Sequence, residues 1–306
     1  MQEVQENITL APITTFQIGG PARYFVDVRS EAEIKEAIEW ANERKLKFVI
    51  LGGCSNILAP DEGLDALVIH IVGNLCSVKD GVVDTWAGSN LLVLLQTAAA
   101  QGWGGWEKLA GIPGTVGGAV RGNAGAFGSE IKDFAITVRG LHSRTGETKE
   151  FSNGECDFSY RHSFFKDHPE WIITRAVLQL QKIEPAESTK LAEDTIAERE
   201  KRHLQNVKAA GSFFMNPVAP AKVVEMFEKE KNVKSRESRV PAGWLIEKAG
   251  MKGAIVGGAI ASLQHPNYLV NQGNATAADV RTLAGQVKAK VKRDFSVELQ
   301  EEAAIL

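Results

Sequence analysis

Cysteine is scarce, three in 306 residues, which excludes a disulfide framework. Cys54, Cys76 and Cys156 are also scattered, so they form no zinc set. The six histidines are dispersed and HExxH is missing, and no metal site is expected. No apolar run reaches the roughly 18 residues of a membrane span. The opening residues, MQEVQENITL, lack the basic-then-apolar pattern of a secretory leader, and the scattered cysteines fit a reducing cytoplasm, where the protein is expected. A net charge of -3 gives no general attraction to nucleic acid or anionic membrane, and neither is expected as a partner. The nucleotide fingerprints GxGxxG and GxxxxGKS/T are both absent. So are internal repeats and low-complexity segments, and no oligomeric state follows from the sequence.

What the chain does have is glycine, concentrated in two loops. One is GGCSNIL at 52–58, and the larger is GIPGTVGGAVRGNAGAFG at 111–128. Glycine loses more backbone freedom on folding than any other residue, so such density needs a backbone task. Two tasks fit. The loops are either tight turns with positive φ in a packed sheet, or bare peptide groups against a bulky ligand. Successive unhindered N–H groups form a concave anion nest of the kind that holds phosphate. A diphosphate-bearing cofactor such as FAD would suit, with one loop on the diphosphate and the other near the ring system.

The rest reads as an α+β protein of two or three domains, 44% hydrophobic and 24% charged. A short apolar strand at 16–18 precedes the break Gly19-Gly20-Pro21. Aromatic and β-branched residues predict strands at 24–28, 48–51, 66–72 and 82–86, with a hairpin turn at Lys79-Asp80-Gly81. Ser30 and Glu33 read as a capping box opening a helix with Ile34, Ala37, Ile38 and Ala41 on one face. Asn90 caps a second helix, and Trp103 and Trp106 are expected as wedges between elements. Strands at 135–141, 147–151 and 171–181 follow. Pro185 marks a shift into a charged helix ending near His203. Helices are predicted after Pro220, at 242–249, and from a capping box at Thr276 and Asp279. Strands are predicted at 254–261, 268–271 and 296–299. The basic cluster at 288–293 reads as a solvated last helical turn.

Three polar residues stand out. Ser212 follows a glycine, which would leave its hydroxyl freely presented, although a turn or cap serine looks the same. Arg161 lies among aromatics, where its guanidinium either grips a carboxylate bidentately or stacks on Tyr160. Glu302 is either functional or part of a solvated acidic tail.

Eight motifs occur in order along nearly the whole chain: TTFQIGGPA, LGGCSNIL, GIPGTVGGA, NAGAFG, YRHSFFK, GSFFMNP, PAGWLIEKAG, and a final strand with its glutamate. Together they resemble the UDP-N-acetylenolpyruvoylglucosamine reductase family of bacterial cell-wall synthesis, also called UDP-N-acetylmuramate dehydrogenases. The short link from Phe165 to the Trp171 strand is similar to the shorter class of that family. The resemblance implies a two-part FAD-binding unit of the vanillyl-alcohol-oxidase-like (PCMH) type, at 1–72 and 73–184. A C-terminal α+β domain for the UDP-sugar is implied at 185–306.

Bound FAD, NADPH as co-substrate and an enolpyruvyl UDP-sugar as substrate are likewise implied, so the partners are small molecules. In the family, hydride passes from NADPH to flavin and then to the enolpyruvyl methylene carbon. Flavin contacts are implied at Gly52, Gly53, Cys54, Ser55 and Asn56. In the second loop they fall on Gly111, Ile112, Pro113, Gly114, Thr115, Gly117, Gly118 and Ala119, then on Asn123 and Gly125. Tyr160 and Asn216 match substrate contacts. Ser212 matches the serine that protonates the carbon next to the one receiving hydride. Arg161 and Glu302 match the catalytic arginine and glutamate. The chemistry suits these types, because hydride addition builds negative charge on the enolpyruvyl carboxylate. Arg161 supplies a permanent charge, and a protonated Glu302 in a dry pocket would donate a hydrogen bond.

The chain departs from the family pattern in four places. Cys54 replaces a third glycine, and Arg121-Gly122 replaces an apolar residue and methionine. Met215 stands where a polar residue is common. Ala303-Ala304 replaces valine-arginine, which is expected to loosen the anchor of the last strand and the placement of Glu302.

Overall fold

The computed structural model describes residues 3–202 and 207–306. The predicted helix end at His203 lies outside the described residues; the helix itself is Pro185–Arg202. The chain forms two compact units. The first takes the described residues of Met1–Ile8, Ala22–Cys54 and Leu64–Glu200. The second takes those of Thr9–Pro21, Ser55–Gly63 and Lys201–Leu306.

The first unit holds two larger sheets, beside two short two-stranded ones. One has the strand order Gln5–Thr9, Pro21–Val28, Leu64–Ile71, Phe48–Leu51. Its last three strands run parallel, which requires a crossover, and the helix Glu31–Glu43 supplies it. That helix buries Ile34, Ala37, Ile38 and Ala41 in a core shared with Val26, Val28, Leu67 and Ile69. Ser30 Oγ caps it by accepting from Glu33 N–H, while Glu33 accepts from Arg29 N–H. The other sheet is antiparallel, in the order Thr148–Ser152, Ala135–His142, Trp171–Gln179, Val82–Trp86, Cys76–Lys79. Its last strand escaped sequence reading because CSVK is half polar. The turn at Asp80 and Gly81, both at positive φ, joins that strand to Val82–Trp86.

A carboxylate ties the crossover helix to the second sheet. Glu31 Oε1 accepts from Arg139 Nε (2.8 Å) and from Thr174 Oγ1 (2.5 Å), and Thr174 is fully buried. Arg139 holds the Glu31 pKa below the ordinary carboxylate range against the opposing pull of burial. Glu31→Ala should therefore cost about 1.5–3 kcal/mol, the usual value of hydrogen bonds to a charged group. Urea unfolding checks this, and a cost near zero would assign the contact no weight. The pKa is lower folded than unfolded, so this stabilisation is present above the unfolded value and is lost as the pH falls through the folded one.

The second unit is built around the helix Ala277–Phe295, which buries Val280, Leu283, Val287 and Val291. Thr276 and Asp279 close the expected capping box reciprocally. The helices Ala221–Lys231 and Ala242–Lys248 belong to this unit. So does a three-stranded sheet of Ile255–Val256, Ala259–Ala261 and Leu269–Asn271.

Three strand expectations fail here. Residues 16–18 form a turn with Phe16 and Ile18 buried, in which Thr14 Oγ1 donates to Ile18 O and Asn271 Nδ2 donates to Phe16 O. Residues 254–261 are a hairpin that reverses at Gly257 and Gly258. Ser296 ends the long helix in the left-handed region, and pairing begins only at about residue 300.

Candidate functional site

The two glycine loops lie against each other within the first unit. A Cβ added at Gly53 would stand 2.6 Å from Gly114 Cα, and one at Gly52 would stand 2.6 Å from Thr115 Oγ1. Gly53 is therefore glycine because backbone meets backbone there. The second loop then enters the helix Val116–Arg121, with Thr115 Oγ1 capping Gly118 N–H. The first helical N–H groups are already used, Val116 on Ser89 O and Gly117 on Ala87 O. Among the described residues, no hydrogen bond uses the N–H groups of Gly53, Cys54, Gly114 and Thr115.

This arrangement fits FAD. Glycine backbone from two loops is packed side by side, with N–H donors from both left for an anion. Ala119, by contrast, is buried in the core, and Ile112 packs against that core.

Cys54 stands in the left-handed region at φ 49°, a conformation that favours glycine. The departure from a third glycine is thus tolerated at a backbone cost. Its thiol is buried and donates to Gly52 O. Burial pushes the thiol pKa up to about 11. Iodoacetamide at pH 8 should therefore leave Cys54 unmodified in the native protein and alkylate it after unfolding, as peptide mapping would show. Rapid native labelling would contradict the burial. The folded state holds this proton more tightly than the unfolded chain. Its contribution to stability is accordingly intact below the ordinary thiol value of 9.0 and is lost as the pH rises toward about 11.

The second half of the glycine stretch builds the Arg161 loop. Asn123 is fully buried: its Nδ2 donates to Ser159 O (2.9 Å) and Glu130 Oε2 (3.0 Å), and its Oδ1 accepts from Lys132 N–H. Ser163 Oγ donates to Arg121 O at 2.7 Å, and Arg161 Nη2 donates to Gly125 O at 2.9 Å. The Asn123 side chain thus organises the loop through protein contacts. Arg161 itself sits at φ 57°, a strained conformation for a long side chain, and Lys166 Nζ holds its carbonyl. The guanidinium also lies over the Tyr160 ring, 5.2 Å from its centroid. The stacking reading of Arg161 is thus met, and the hydrogen bond to Gly125 runs to a backbone carbonyl. Arg121 is exposed at the end of its helix and makes no ion pair among the described residues. Partial desolvation lowers its pKa, but an exposed guanidinium keeps its charge.

Ser212, Asn216 and Glu302 all belong to the second unit. Gly211 takes a positive φ of 74°, which aims the chain into the segment 212–216. Residues 213–215 pair antiparallel with 300–302: Glu302 N–H donates to Phe213 O (2.8 Å) and Met215 N–H donates to Gln300 O (2.9 Å). This register sets Phe213 opposite Glu302, with Ser212 one residue outside the pairing. Beyond them, Ala304–Ile305 pairs in parallel with Ile57–Leu58. Asn56 Nδ2 donates to Glu302 O at 3.1 Å, and Lys288 Nζ bonds both Glu301 carboxylate oxygens.

The expected loosening at Ala303-Ala304 is thus met by a backbone ladder and an ion pair. Asn216 Oδ1 accepts from Ala242 N–H at the start of the helix Ala242–Lys248.

Within the first unit the structure joins 52–54 with 114–115, and Arg161 with 121–125. Within the second it joins Asn56 to the Glu302 segment, while Ser55 O accepts from Thr15 Oγ1. Sequence reading missed Asn267, whose contacts with the Ser212 segment are internal to this unit. The signal available was two asparagines in the apolar run HPNYLVN. Among the described residues, no group of three or more His, Cys, Asp or Glu could hold a metal ion, and no helix is long and apolar enough to cross a membrane.

Comparison with known proteins covers both units. Residues 22–152 match the family described as FAD binding domain. Residues 202–306 match the family described as UDP-N-acetylenolpyruvoylglucosamine reductase, C-terminal domain. The reductase of that name from Solibacter usitatus is 34% identical over 98% of this chain and 95% of its own length. Its counterpart from Pseudomonas putida is 36% identical over 97% of each chain. The crystal structure of the reductase from Thermus caldophilus superposes with a TM-score of 0.77 at 32% identity, over 100% of this chain and 99% of that one.

Proposed function

The chain belongs to the UDP-N-acetylenolpyruvoylglucosamine reductase family, and on that premise we propose which residues carry its reaction. It is an FAD-dependent oxidoreductase that reduces UDP-N-acetylglucosamine enolpyruvate to UDP-N-acetylmuramate in peptidoglycan precursor synthesis, with NADPH as co-substrate. Bound FAD supplies the hydride that reaches the enolpyruvyl methylene carbon.

The N–H groups of Gly53, Cys54, Gly114 and Thr115 hold the diphosphate of the cofactor. Arg161 places a fixed positive charge toward the substrate carboxylate, where negative charge builds during the reaction. Glu302, protonated, donates a hydrogen bond to the same carboxylate. Ser212 Oγ gives its proton to the adjacent carbon. A serine is a weak acid in water, so this transfer needs a strongly basic acceptor held within hydrogen-bond reach. Tyr160 and Asn216 bind the UDP-sugar. The reaction is placed in the cytoplasm, where NADPH is available and where Cys54, Cys76 and Cys156 remain free thiols.

The pairing of 213–215 with 300–302 supports this reading, because it brings the backbone that follows Ser212 against the backbone of Glu302. A spectroscopic titration tests the reaction. The purified protein should be yellow, bleach with NADPH, and regain its colour with the enolpyruvyl UDP-sugar. Bleaching without recovery would point to another oxidoreductase activity, and absence of flavin would point to a binding module.

A further inference from the structure

We propose that Asn267 is the positioning residue for Ser212. The inference rests on the assignment of Ser212 as the proton donor.

Asn267 lies between Pro266 and Tyr268 and is 2% exposed. It makes three hydrogen bonds to the residues just after Ser212. Its backbone carbonyl accepts from Phe213 N–H at 2.7 Å. Its side-chain Oδ1 accepts from Phe214 N–H at 3.0 Å, and its Nδ2 donates to Phe214 O at 2.8 Å. A primary amide has one acceptor and two donors, so one side chain satisfies both backbone groups of a neighbouring residue. Asn267 therefore does for Phe214 what an adjacent strand would do.

The opposite edge of the segment is taken by the C-terminal strand, since Phe213 O accepts from Glu302 N–H and Phe214 faces Glu301. Residue 213 thus hands its N–H to Asn267 and its carbonyl to Glu302. Ser212 is the next residue toward the N-terminus, and the Phe213 N–H belongs to the peptide group that joins the two. The Asn267 backbone carbonyl thus clamps the peptide that follows Ser212, and its side chain fixes Phe214, the residue after that peptide's Phe213. Losing the side chain therefore frees the segment whose paired edge holds Ser212 relative to Glu302. Phe213 and Phe214 are both 1% exposed and pack edge to face at 5.1 Å, so the clamp works in a dry environment. Gly211, on the other side of Ser212, has no atom within 4 Å of an added Cβ. Packing therefore restrains the serine from the C-terminal side.

An amide here is chemically required. An aliphatic residue of similar size would leave both Phe214 backbone groups buried without this partner. The local chain would relax, and displacement of a catalytic atom by about 1 Å costs on the order of 100-fold.

Asn267→Ala, made alone and in a Ser212→Ala background, tests the proposal by stopped-flow on each half-reaction. Asn267→Ala alone should retain FAD and keep its reduction by NADPH within about twofold. Its reoxidation by the enolpyruvyl UDP-sugar should slow by on the order of 10–100-fold. In the Ser212→Ala background the same change should cost less than about threefold, because the group it positions is gone. Equal slowing of both half-reactions, or the same factor in both backgrounds, would overturn the proposal. Ser212→Ala alone separates the two ideas, since reoxidation unaffected by that change removes the proton-donor assignment itself. If the alanine variant does not fold with flavin, Asn267→Asp serves in its place. It keeps the shape and the acceptor, loses the amide donor to Phe214 O, and should show the same selective, background-dependent loss.

Discussion

Ser212→Ala is expected to leave reduction of the bound flavin by NADPH within about twofold of the parent and to slow reoxidation by the enolpyruvyl UDP-sugar by on the order of 10²–10⁴-fold, the usual contribution of a general acid. The split follows from which step needs the hydroxyl. NADPH oxidation moves a hydride and asks nothing of Ser212. The second step creates a basic carbon that must collect a proton. Removing Oγ leaves only water to supply it, and the segment 213–215 stays in place because its hydrogen bonds are made by backbone and by Asn267. Rapid-mixing traces of the two half-reactions give the answer. A comparable loss in both would mean that the substitution damages the fold or the flavin site, and the assignment would fall.

The second large effect is expected at Gly53. In Gly53→Ala the new methyl would stand 2.6 Å from Gly114 Cα and 3.1 Å from Thr115 N. Both are backbone atoms, so no side-chain rotation relieves the clash and the two loops must part. Overpacking of this kind costs about 1–3 kcal/mol. Because the same loops carry the N–H groups proposed for the diphosphate, the dissociation constant of FAD should rise about tenfold or more, equivalent to about 1.4 kcal/mol. Titrating apoprotein with FAD and following flavin fluorescence measures this directly. Gly154→Ala is the control: it has an ordinary φ and no atom within 4 Å of an added Cβ, and should change neither affinity nor melting temperature. Unchanged FAD affinity in Gly53→Ala would mean that the meeting of the loops does not shape the cofactor site.

Much of the fold was legible because its cues are local. Helical period and caps mark the helices Glu31–Glu43, Leu91–Ala100 and Ala277–Phe295, and residue type marks Phe48–Leu51 and Val82–Trp86. Segments whose hydrogen bonds run to side chains were misread. The turn at 16–18 has the apolar content of a strand, but its partners are Thr14 and Asn271, and the latter is more than 250 residues away in sequence. Cys76–Lys79 was missed for the opposite reason, being a strand of half-polar content at a sheet edge.

The sequence by itself determined the family, the reaction and the residue types, because chemistry depends on which groups are present and in what order. It also exposed Cys54 and Arg121 as departures. Only the tertiary structure decided what the glycines are for. Gly53 and Gly114 are small because their backbones touch, and that is a relation between residues some sixty apart. It also decided that Asn123 builds the Arg161 loop, and that a ladder with 56–58 and 213–215 holds Glu302 where an arginine was missed. Such pairings depend on distances that the folded chain sets, and no local pattern encodes them.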